Sequence, residues 1–414
     1  MDLGDFPDLK KLRAFDAAAR LGSLVAAAQE LRISQPAVTY LIGRLEAELG
    51  VRLLDRDPHG SHLNPKGQAL AERARRFLDL LRTAVEDCAG RSGADRRLMA
   101  MCERMTQTQC RSMTALWRAD DLKSAAVHLR VSRQAVVRAV RSLEALLDVV
   151  LVEPTPAGPA LNAQGRELSR QLTLAAQEIA AGLQIIGSDR ALGTHGLRVG
   201  ALVLSPRLPL AEAVHACACS DSRQSIEIVE GAYEELAVLL RTGSIDVIFG
   251  ALRDPPPFAD LTESRLYEDP YVIACRRGHP LTAQKLIQPQ DLAGSEFIIA
   301  TAGLRHAVLQ RLLKEWNIEA SPQIHTNWLP TITALLKSSD RLAILSQWHI
   351  DADGAHELQA LPMTELPHET RWVGLTTRAS WWPTPFQGRF IEALSRGPTS
   401  SGQQPSTETT SFIE

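Results

Sequence analysis

The sequence predicts a multi-domain protein in which two small helical domains precede a larger α/β domain. Three observations support this. The chain has 414 residues, which is too long for one ordinary domain. A segment near its start is repeated without gaps at a shift of about 98 residues, as from Leu24 to Leu122. From about residue 196 onward, strand-like and helix-like segments alternate, which favours an α/β arrangement.

Composition limits the class of protein. About 45% hydrophobic and 22% charged residues are typical of a globular chain. The net charge of −3 neither favours nor excludes DNA binding, because an average can hide a local basic surface. No apolar run approaches the ~20 residues that span a bilayer, and the first residues lack a secretory pattern. We therefore expect a cytoplasmic protein without a membrane partner.

Six cysteines are few for this length, which fits a reducing compartment without disulfides. One cluster comprises His215, Cys217 and Cys219. On a helix, His215 and Cys219 would share a face and Cys217 would not, and two ligands do not make a metal site. We expect neither a metal nor a cofactor.

The repeat has the properties of a duplicated domain. The segment Leu24–Glu46 matches Leu122–Glu144 at roughly two positions in five, and the match continues to Gly67 and Gly165. In the first copy, Ser23 can cap a short helix that carries alanines where a second helix can cross closely. The copies are therefore predicted to be two small domains, each with a helix-turn-helix.

The second helix of the first copy has one apolar and one polar face. Ser34 can cap this helix, and Pro36 is tolerated in its first turn. A hairpin with basic residues follows and predicts a two-stranded wing, which also carries His59, His62 and Lys66. A polar helix face suits base edges in the major groove, and wing cations suit phosphates. The predicted DNA-binding residues are Ser34, Gln35, Pro36, Thr39, Tyr40, Arg44, Arg52 and Arg56.

These residues resemble a known motif. The run Ala27-Ala28, Ile33-Ser34-Gln35-Pro36-Ala37-Val38 and Leu63-Asn64, ending at Gly67, is similar to the DNA-binding motif of the LysR family. The resemblance implies a winged helix-turn-helix that binds double-stranded promoter DNA, and it allows RNA polymerase as a further partner. The alternative is a three-helix interaction module without a DNA partner.

The second copy departs from this motif. Arg133-Gln134 replace Gln35-Pro36, and the wing at 151–161 has no basic residue and one acid. Its second helix gains Arg133, Arg138 and Arg141, which could supply other phosphate contacts. Two interpretations stay open, a degenerate copy used for dimerisation or spacing, and a second DNA-binding domain.

A helix with heptad spacing follows each copy. In proteins that resemble the LysR family, this helix pairs with its mate in a second subunit, which implies a homodimer or homotetramer. The alternatives are a helix packed on its own domain and pairing of the two helices within one chain. The heptad positions are Leu70, Ala74, Phe77, Leu81, Ala84 and Cys88, then Leu168, Leu172, Ala175, Ile179, Leu183 and Ile186.

The C-terminal half has strand-like runs at 197–204, 225–230 and 245–250, each followed by a turn. This order predicts a parallel sheet with right-handed crossovers. The runs Leu239–Gly250, Leu266–Val272 and Gly278–Leu281 are similar to the effector-binding domain of the LysR family, which has two lobes and resembles a periplasmic binding protein. Gly374–Arg378 and Trp382–Pro385 resemble the branch that includes regulators of sugar-binding proteins and of protocatechuate catabolism.

Polar or small residues follow several strands, where the cleft of this family lies. Such positions at helix starts suit a carboxylate or a sugar-like ligand. The predicted effector-binding residues are Ser205, Gly231, Ala232, Tyr233, Thr301, Ala302, Asn327 and Trp328.

The sequence therefore predicts a metabolite-sensing transcription regulator, of a catabolic or uptake operon for an aromatic acid or sugar. No catalytic motif has convincing spacing, so an enzyme is not expected. The alternative is a DNA-architectural or interaction protein whose α/β half senses nothing. The predicted domains are a DNA-binding winged helix-turn-helix at 5–66, a linker or dimerisation helix at 67–92, a second, diverged winged helix-turn-helix at 105–164, a second linker helix at 165–190, a two-lobed effector-binding domain at 195–396 and a disordered tail at 397–414.

Overall fold

The computed structural model forms two compact units, Met1–Gly196 and Leu197–Glu414. It describes residues 6–57, 60–90, 96–119, 121–156, 158–187, 196–202, 207–221, 224–253, 255–319, 324–363 and 370–396. The predicted tail at 397–414 lies outside the described residues.

In the N-terminal unit, an order of three helices, a hairpin and a long helix occurs twice, first from α1 to α4 and then from α6 to α9. The short helix α5 lies between the two series and was not anticipated. The elements are α1 (Leu9–Leu21), α2 (Leu24–Leu31), α3 (Gln35–Leu49), β1 (Leu54–Asp57), β2 (Gly60–Leu63), α4 (Pro65–Ala89), α5 (Arg96–Arg104), α6 (Gln107–Ala119), α7 (Leu122–Leu129), α8 (Arg133–Leu147), β3 (Val152–Thr155), β4 (Gly158–Leu161) and α9 (Ala163–Ile185).

Local capping explains where the short helices begin. Ser23 accepts a hydrogen bond from the N–H of Ala26 at the start of α2, and Asp121 has the same role before α7. The prediction for Ser34 was wrong in one detail. Its side chain makes no capping hydrogen bond to α3, whereas Ser132 accepts one at the start of α8. Pro36 in the first turn of α3 removes one N–H that would otherwise need a partner.

The hairpins are held to the helices before them by a buried or half-buried glutamate. Glu46 on α3 accepts the backbone N–H of Leu53 at 2.7 Å, and Glu144 on α8 accepts that of Leu151 at 2.8 Å. These N–H groups precede β1 and β3, and a carboxylate satisfies them strongly. The same contact therefore positions both hairpins.

The heptad helices α4 and α9 pack against each other within the chain. Arg73 donates a hydrogen bond to Glu178 at 2.8 Å, and both side chains are buried. Near the other end of α4, Gln164 donates to the carbonyl oxygen of Cys88 at 2.6 Å. The residue numbers of these contacts increase along α4, from Arg73 to Cys88, and decrease along α9, from Glu178 to Gln164. The pair is therefore antiparallel. All twelve predicted heptad positions are buried, so the period was right.

The C-terminal unit is an α/β structure around a nine-stranded sheet. The sheet order is β10-β9-β11-β8-β13-β7-β5-β6, with β12 on β8. The elements are β5 (Leu197–Leu202), α10 (Arg207–Ser220), β6 (Ile226–Gly231), α11 (Tyr233–Arg241), β7 (Val247–Ala251), β8 (Leu261–Arg276), β9 (Phe297–Ile299), α12 (Leu304–Glu315), β10 (Ile324–His325), α13 (Leu329–Ser338), β11 (Leu342–Ser346), α14 (Gln347–Asp351), β12 (Leu358–Ala360), β13 (Thr370–Arg378) and α15 (Pro385–Ser395), with 3₁₀ turns at Pro280–Ala283 and Pro289–Leu292.

The prediction of a parallel sheet holds for only part of it. Strands β5, β6 and β7 are parallel, as are β9, β10 and β11. However, β13 runs antiparallel to both β7 and β8. The sheet is therefore mixed, because β8 and β13 are long strands that were not assigned as strands from the sequence.

The strand β8 belongs to both lobes. Its first part, from Leu261 to Pro270, pairs with β13 in the lobe that contains β5 to β7. Its second part pairs with β11 and β12 in the other lobe. Each lobe has its own buried apolar clusters, one with Phe249 and Phe390 and another with Phe297 and Leu312. The unit thus has two lobes connected through a shared strand.

Candidate functional site

The outer face of α3 is the first candidate surface. Gln35 and Tyr40 are exposed, and Thr39 is half-buried with its hydroxyl on the carbonyl oxygen of Gln35. Tyr40 is 66% exposed, so it does not pack in the core. The predicted residues of this helix face share one surface, and they are Ser34, Gln35, Pro36, Thr39, Tyr40 and Arg44.

The basic residues assigned to the wing do not all lie on its strands. Arg56 lies in β1, but Arg52 precedes this strand and Lys66 lies in the first turn of α4. His59 lies outside the described residues. Arg52 and Lys66 are exposed, so both remain available at the edge of the hairpin. The basic surface therefore extends from the loop before β1 to the start of α4.

The corresponding face of α8 has a different chemistry. Arg133 and Arg138 are exposed, and Arg141 donates a hydrogen bond to Glu144 at 2.8 Å. The hairpin that follows contains Glu153 and two prolines in its strands and, among its described residues, no cation. The cations of this segment therefore lie on the helix and not on the hairpin.

A cavity of about 210 Å³ lies in the C-terminal unit, where the two lobes face each other. This volume suits a metabolite smaller than a drug-sized molecule. The lining is mainly apolar, with a few polar groups. Its residues are Leu202, Gly231, Ala232, Tyr233, Glu234, Ala251, Arg253, Tyr271, Ala302, Gly303, Leu304, Arg305, Asn327 and Arg371.

Five of the eight predicted effector-binding residues line this cavity, namely Gly231, Ala232, Tyr233, Ala302 and Asn327. Thr301 is not in the lining, and its N–H donates to the side-chain oxygen of Asn327 at 3.0 Å. Trp328, the residue before α13, is also absent from the lining and is 64% exposed. Ser205 lies outside the described residues.

The sequence did not predict Arg305 as a lining residue, nor the other charged groups Glu234, Arg253 and Arg371. Arg305 is the second residue of α12, and the φ of 86° at the preceding N-cap, Gly303, favours glycine. The side chain is buried, and burial lowers the pKa of its guanidinium to about 10. Its Nε and Nη2 atoms have no hydrogen-bond acceptor among the residues that the structure describes. A buried cation without an acceptor is costly, so a ligand anion would relieve it.

Two further arginines face the cavity but already have partners. Arg371 on β13 donates to the buried carboxylate of Asp269, and this contact raises the pKa of Arg371 against the effect of burial. Arg253 lies over the ring of Tyr233, with 4.5 Å from its Cζ atom to the ring centroid. Because Asp269 neutralises Arg371, the other charged groups of the lining are Arg305, Arg253 and Glu234.

A hydrogen bond to Glu263 holds the side chain of Tyr233 in place. Its hydroxyl donates to Glu263 at 2.9 Å, and burial raises the pKa of both side chains. Glu263 also accepts the backbone N–H of Arg253 at 2.8 Å. Since the hydroxyl of Tyr233 is used in this way, the tyrosine offers mainly its ring to the cavity.

The described residues contain no group of three or more metal-ligating side chains. His215 and Cys219 share one helix face, and Cys217 is buried. No described helix is long and apolar enough to cross a membrane.

Comparison with protein families gives two matches. The model for the LysR substrate binding domain matches residues 192–398. The model for bacterial regulatory helix-turn-helix proteins of the lysR family matches residues 9–68.

Individual relatives extend these matches. The HTH-type transcriptional regulator GalR of Pseudomonas putida is 28% identical over 388 residues, which cover 92% of this chain and 95% of that protein. The HTH-type transcriptional regulator PcaQ of Agrobacterium fabrum is 26% identical over 276 residues, which cover 65% of this chain and 88% of that protein. Among solved structures, a variant of full-length OxyR from Pseudomonas aeruginosa matches with a TM-score of 0.52 at 22% identity, over 74% of this chain and 99% of that one. This last likeness concerns the fold alone.

Proposed function

This chain belongs to the LysR family of bacterial regulatory helix-turn-helix proteins, and on that premise we propose that it responds to a small carboxylate bound beside Arg305. The family match makes the protein a DNA-binding transcription regulator with an effector-binding domain, and not an enzyme. The effector class is the proposal. We place the protein in the cytoplasm, where it binds promoter DNA.

The unpartnered guanidinium of Arg305 carries the proposal. It is only 6% exposed, and it lines the cavity from the lobe opposite Tyr233. A carboxylate in the cavity would compensate the charge of this guanidinium, and carboxylates are the partners that arginine favours. The apolar lining would contact the rest of the ligand. A neutral sugar would leave the charge of Arg305 without compensation, so a carboxylate is favoured over a sugar.

The test measures binding of a defined probe. We expect benzoate or 4-hydroxybenzoate to raise the melting temperature of the full chain more than benzamide or glucose, because a ligand of the native state stabilises it. In an Arg305→Met variant the affinity for the carboxylate, measured by calorimetry, should fall about ten- to a hundredfold.

The matched control is Arg311→Met, which changes an exposed arginine on the same helix outside the cavity lining. It should leave the affinity unchanged. Equal binding of the carboxylate by Arg305→Met, or a preference for the neutral amide, would contradict the proposal.

DNA contact is assigned to the exposed face of α3 together with Arg52 and Arg56. These residues combine polar side chains at a helix start with nearby cations, which suits base edges and phosphates. The DNA-contacting part of α1 to β2 is called the first head below.

We also propose that α6 to β4 is a second, diverged winged helix-turn-helix, called the second head below. The repeated element order supports this, as do the shared caps and the equivalent contacts of Glu46 and Glu144. Similarity to GalR extends over 92% of the chain and so is not confined to the first head. We assign Arg133, Arg138 and Arg141 to phosphate contacts, of which Arg141 is shared with Glu144.

A further inference from the structure

We infer that one chain holds two unlike DNA-contacting heads through its own α4–α9 pair, and therefore binds an operator with two different half-sites. The inference rests on the proposed DNA-binding function of the heads. The α4–α9 pair joins the two heads within a single chain, and the DNA contacts of one head differ from those of the other.

Charged and polar contacts fix the register of the α4–α9 pair. Arg73 and Arg76 both contact Glu178, at 2.8 and 3.2 Å. Towards the other end, Gln171 donates to Asp87 at 2.8 Å. A buried ion pair of this kind tolerates no slip of the helices, because a shift would leave a charge buried without its partner.

The helices α4 and α9 pack closely against each other. A Cβ atom added at Gly182 of α9 would lie 2.9 Å from Leu70 and 3.2 Å from Arg73, both on α4. The glycine therefore lets the helices approach. The heptad faces of both helices are buried within the N-terminal unit, so neither face is left over for a second copy of the chain.

The two long helices separate the hairpins of the two heads. Each hairpin directly precedes the N-terminus of its long helix, and antiparallel helices place these N-termini at opposite ends. A helix of 25 residues such as α4 is about 37 Å long. One turn of the DNA duplex is about 34–36 Å, so the hairpins of the two heads are separated by roughly one turn of DNA.

The two heads differ in the side chains that they present. The first head offers Gln35 and Tyr40 on α3 and cations around its hairpin, whereas the second offers Arg133 and Arg138 on α8 and no cation in the described part of its hairpin. Two identical subunits impose inverted-repeat symmetry on DNA, but unlike heads do not.

The first experiment selects duplexes from a random pool with the full chain. We expect two different sequence elements about one helical turn apart. With Arg133→Ala/Arg138→Ala, the second head should hold DNA more weakly, so that one element is enriched less, and the salt slope of log K should fall by about 0.9 per lost phosphate contact. Gln35→Ala should affect only the other element. An enriched inverted repeat would contradict this inference alone, whereas no enrichment would contradict the DNA-binding function as well.

The second experiment does not depend on DNA. In a Cys219→Ser background, Asp87→Cys/Gln171→Cys is treated with a short bismaleimide, and we expect a bridge within one chain. When Asp87→Cys and Gln171→Cys are placed on separate co-expressed chains, no covalent dimer should form, and the background variant sets the baseline. A covalent dimer of the two single variants would overturn the inference.

Discussion

The carboxylate of Asp269 on β8 accepts a hydrogen bond at 2.5 Å from the guanidinium of Arg371 on β13, and Asp269 is completely buried. Asp269 also accepts the backbone N–H of Trp348 at 3.2 Å. The pair therefore joins the two long strands to the start of α14, next to the cavity.

Replacing Asp269 with alanine should strongly destabilise the C-terminal unit. The change leaves the charge of Arg371 buried without its partner, which costs about 3–5 kcal/mol. Urea unfolding followed by tryptophan fluorescence measures the loss. Asp340→Ala is the control, because its ion pair with Arg276 is more exposed and should contribute less than ~1 kcal/mol. Equal effects of the two variants would contradict the prediction.

Replacing Gln35 with alanine should weaken specific DNA binding without unfolding the protein. Gln35 is the first residue of α3 and is exposed, so its loss removes polar contacts with base edges, each of which typically discriminates by about 1–3 kcal/mol. Fluorescence anisotropy with a selected duplex measures the affinity. Gln29→Ala, at an exposed position of α2, should bind like the parent chain. Unchanged specificity in the Gln35 variant would remove α3 from the interface.

Replacing Gly67 with alanine should destabilise the N-terminal unit. An added Cβ would lie 2.1 Å from the carbonyl oxygen of Leu53, and a backbone atom cannot move aside easily. Overpacking of this kind costs about 1–3 kcal/mol. Gly43→Ala, in α3 with open space around it, should instead be neutral or stabilising by up to ~1 kcal/mol. Chemical unfolding monitored by circular dichroism measures the stability of both variants. A Gly67→Ala chain at least as stable as the Gly43→Ala chain would contradict the prediction.

Thiol reactivity should differ between cysteines of the native chain. Cys219 is exposed, whereas burial raises the pKa of Cys110 to about 12 and that of Cys275 to about 11. Since the thiolate is the nucleophile, iodoacetamide at pH 8 should label Cys219 first. Peptide mass mapping measures this, with urea-unfolded protein as control, and early labelling of Cys110 would contradict it.

The same shifts give a pH dependence with a defined sign. The pKa of both buried thiols is higher in the folded chain than the ordinary value of 9.0. The folded state therefore holds more protons above pH 9, and the free energy of unfolding should fall as pH rises from 9 to 11. A rise over this range would contradict the burial of these thiols.

The sequence predicted local structure better than the partners of each element. The heptad spacing from Leu70 to Cys88 identified the buried face of α4, because helical period depends on neighbouring residues alone. It left open whether a second subunit or α9 covers that face, since this depends on how separate segments meet in space. The long strands β8 and β13 were missed for a similar reason, because β8 pairs in both lobes and β13 pairs with two strands that are distant in sequence.

The candidate ligand site was predicted in part. Residues after strands, such as Gly231 and Asn327, could be placed because strand ends converge at one edge of a sheet. Arg305 could not, because an arginine in the first turn of a helix is ordinarily exposed. Its guanidinium lies near Tyr271 and Arg371, which belong to distant parts of the chain. The glycine before α12 was the only local signal.

The pairing of α4 with α9 in one chain also has a genetic consequence. In a symmetric dimer every substitution occurs twice, so a change on one contact surface is matched by the same change on the other. Here Arg73 and Glu178 are separate codons, as are Gln35 and Arg133. Each half of the N-terminal unit can therefore acquire substitutions independently, and a charge reversal at one position can be compensated at a single other one.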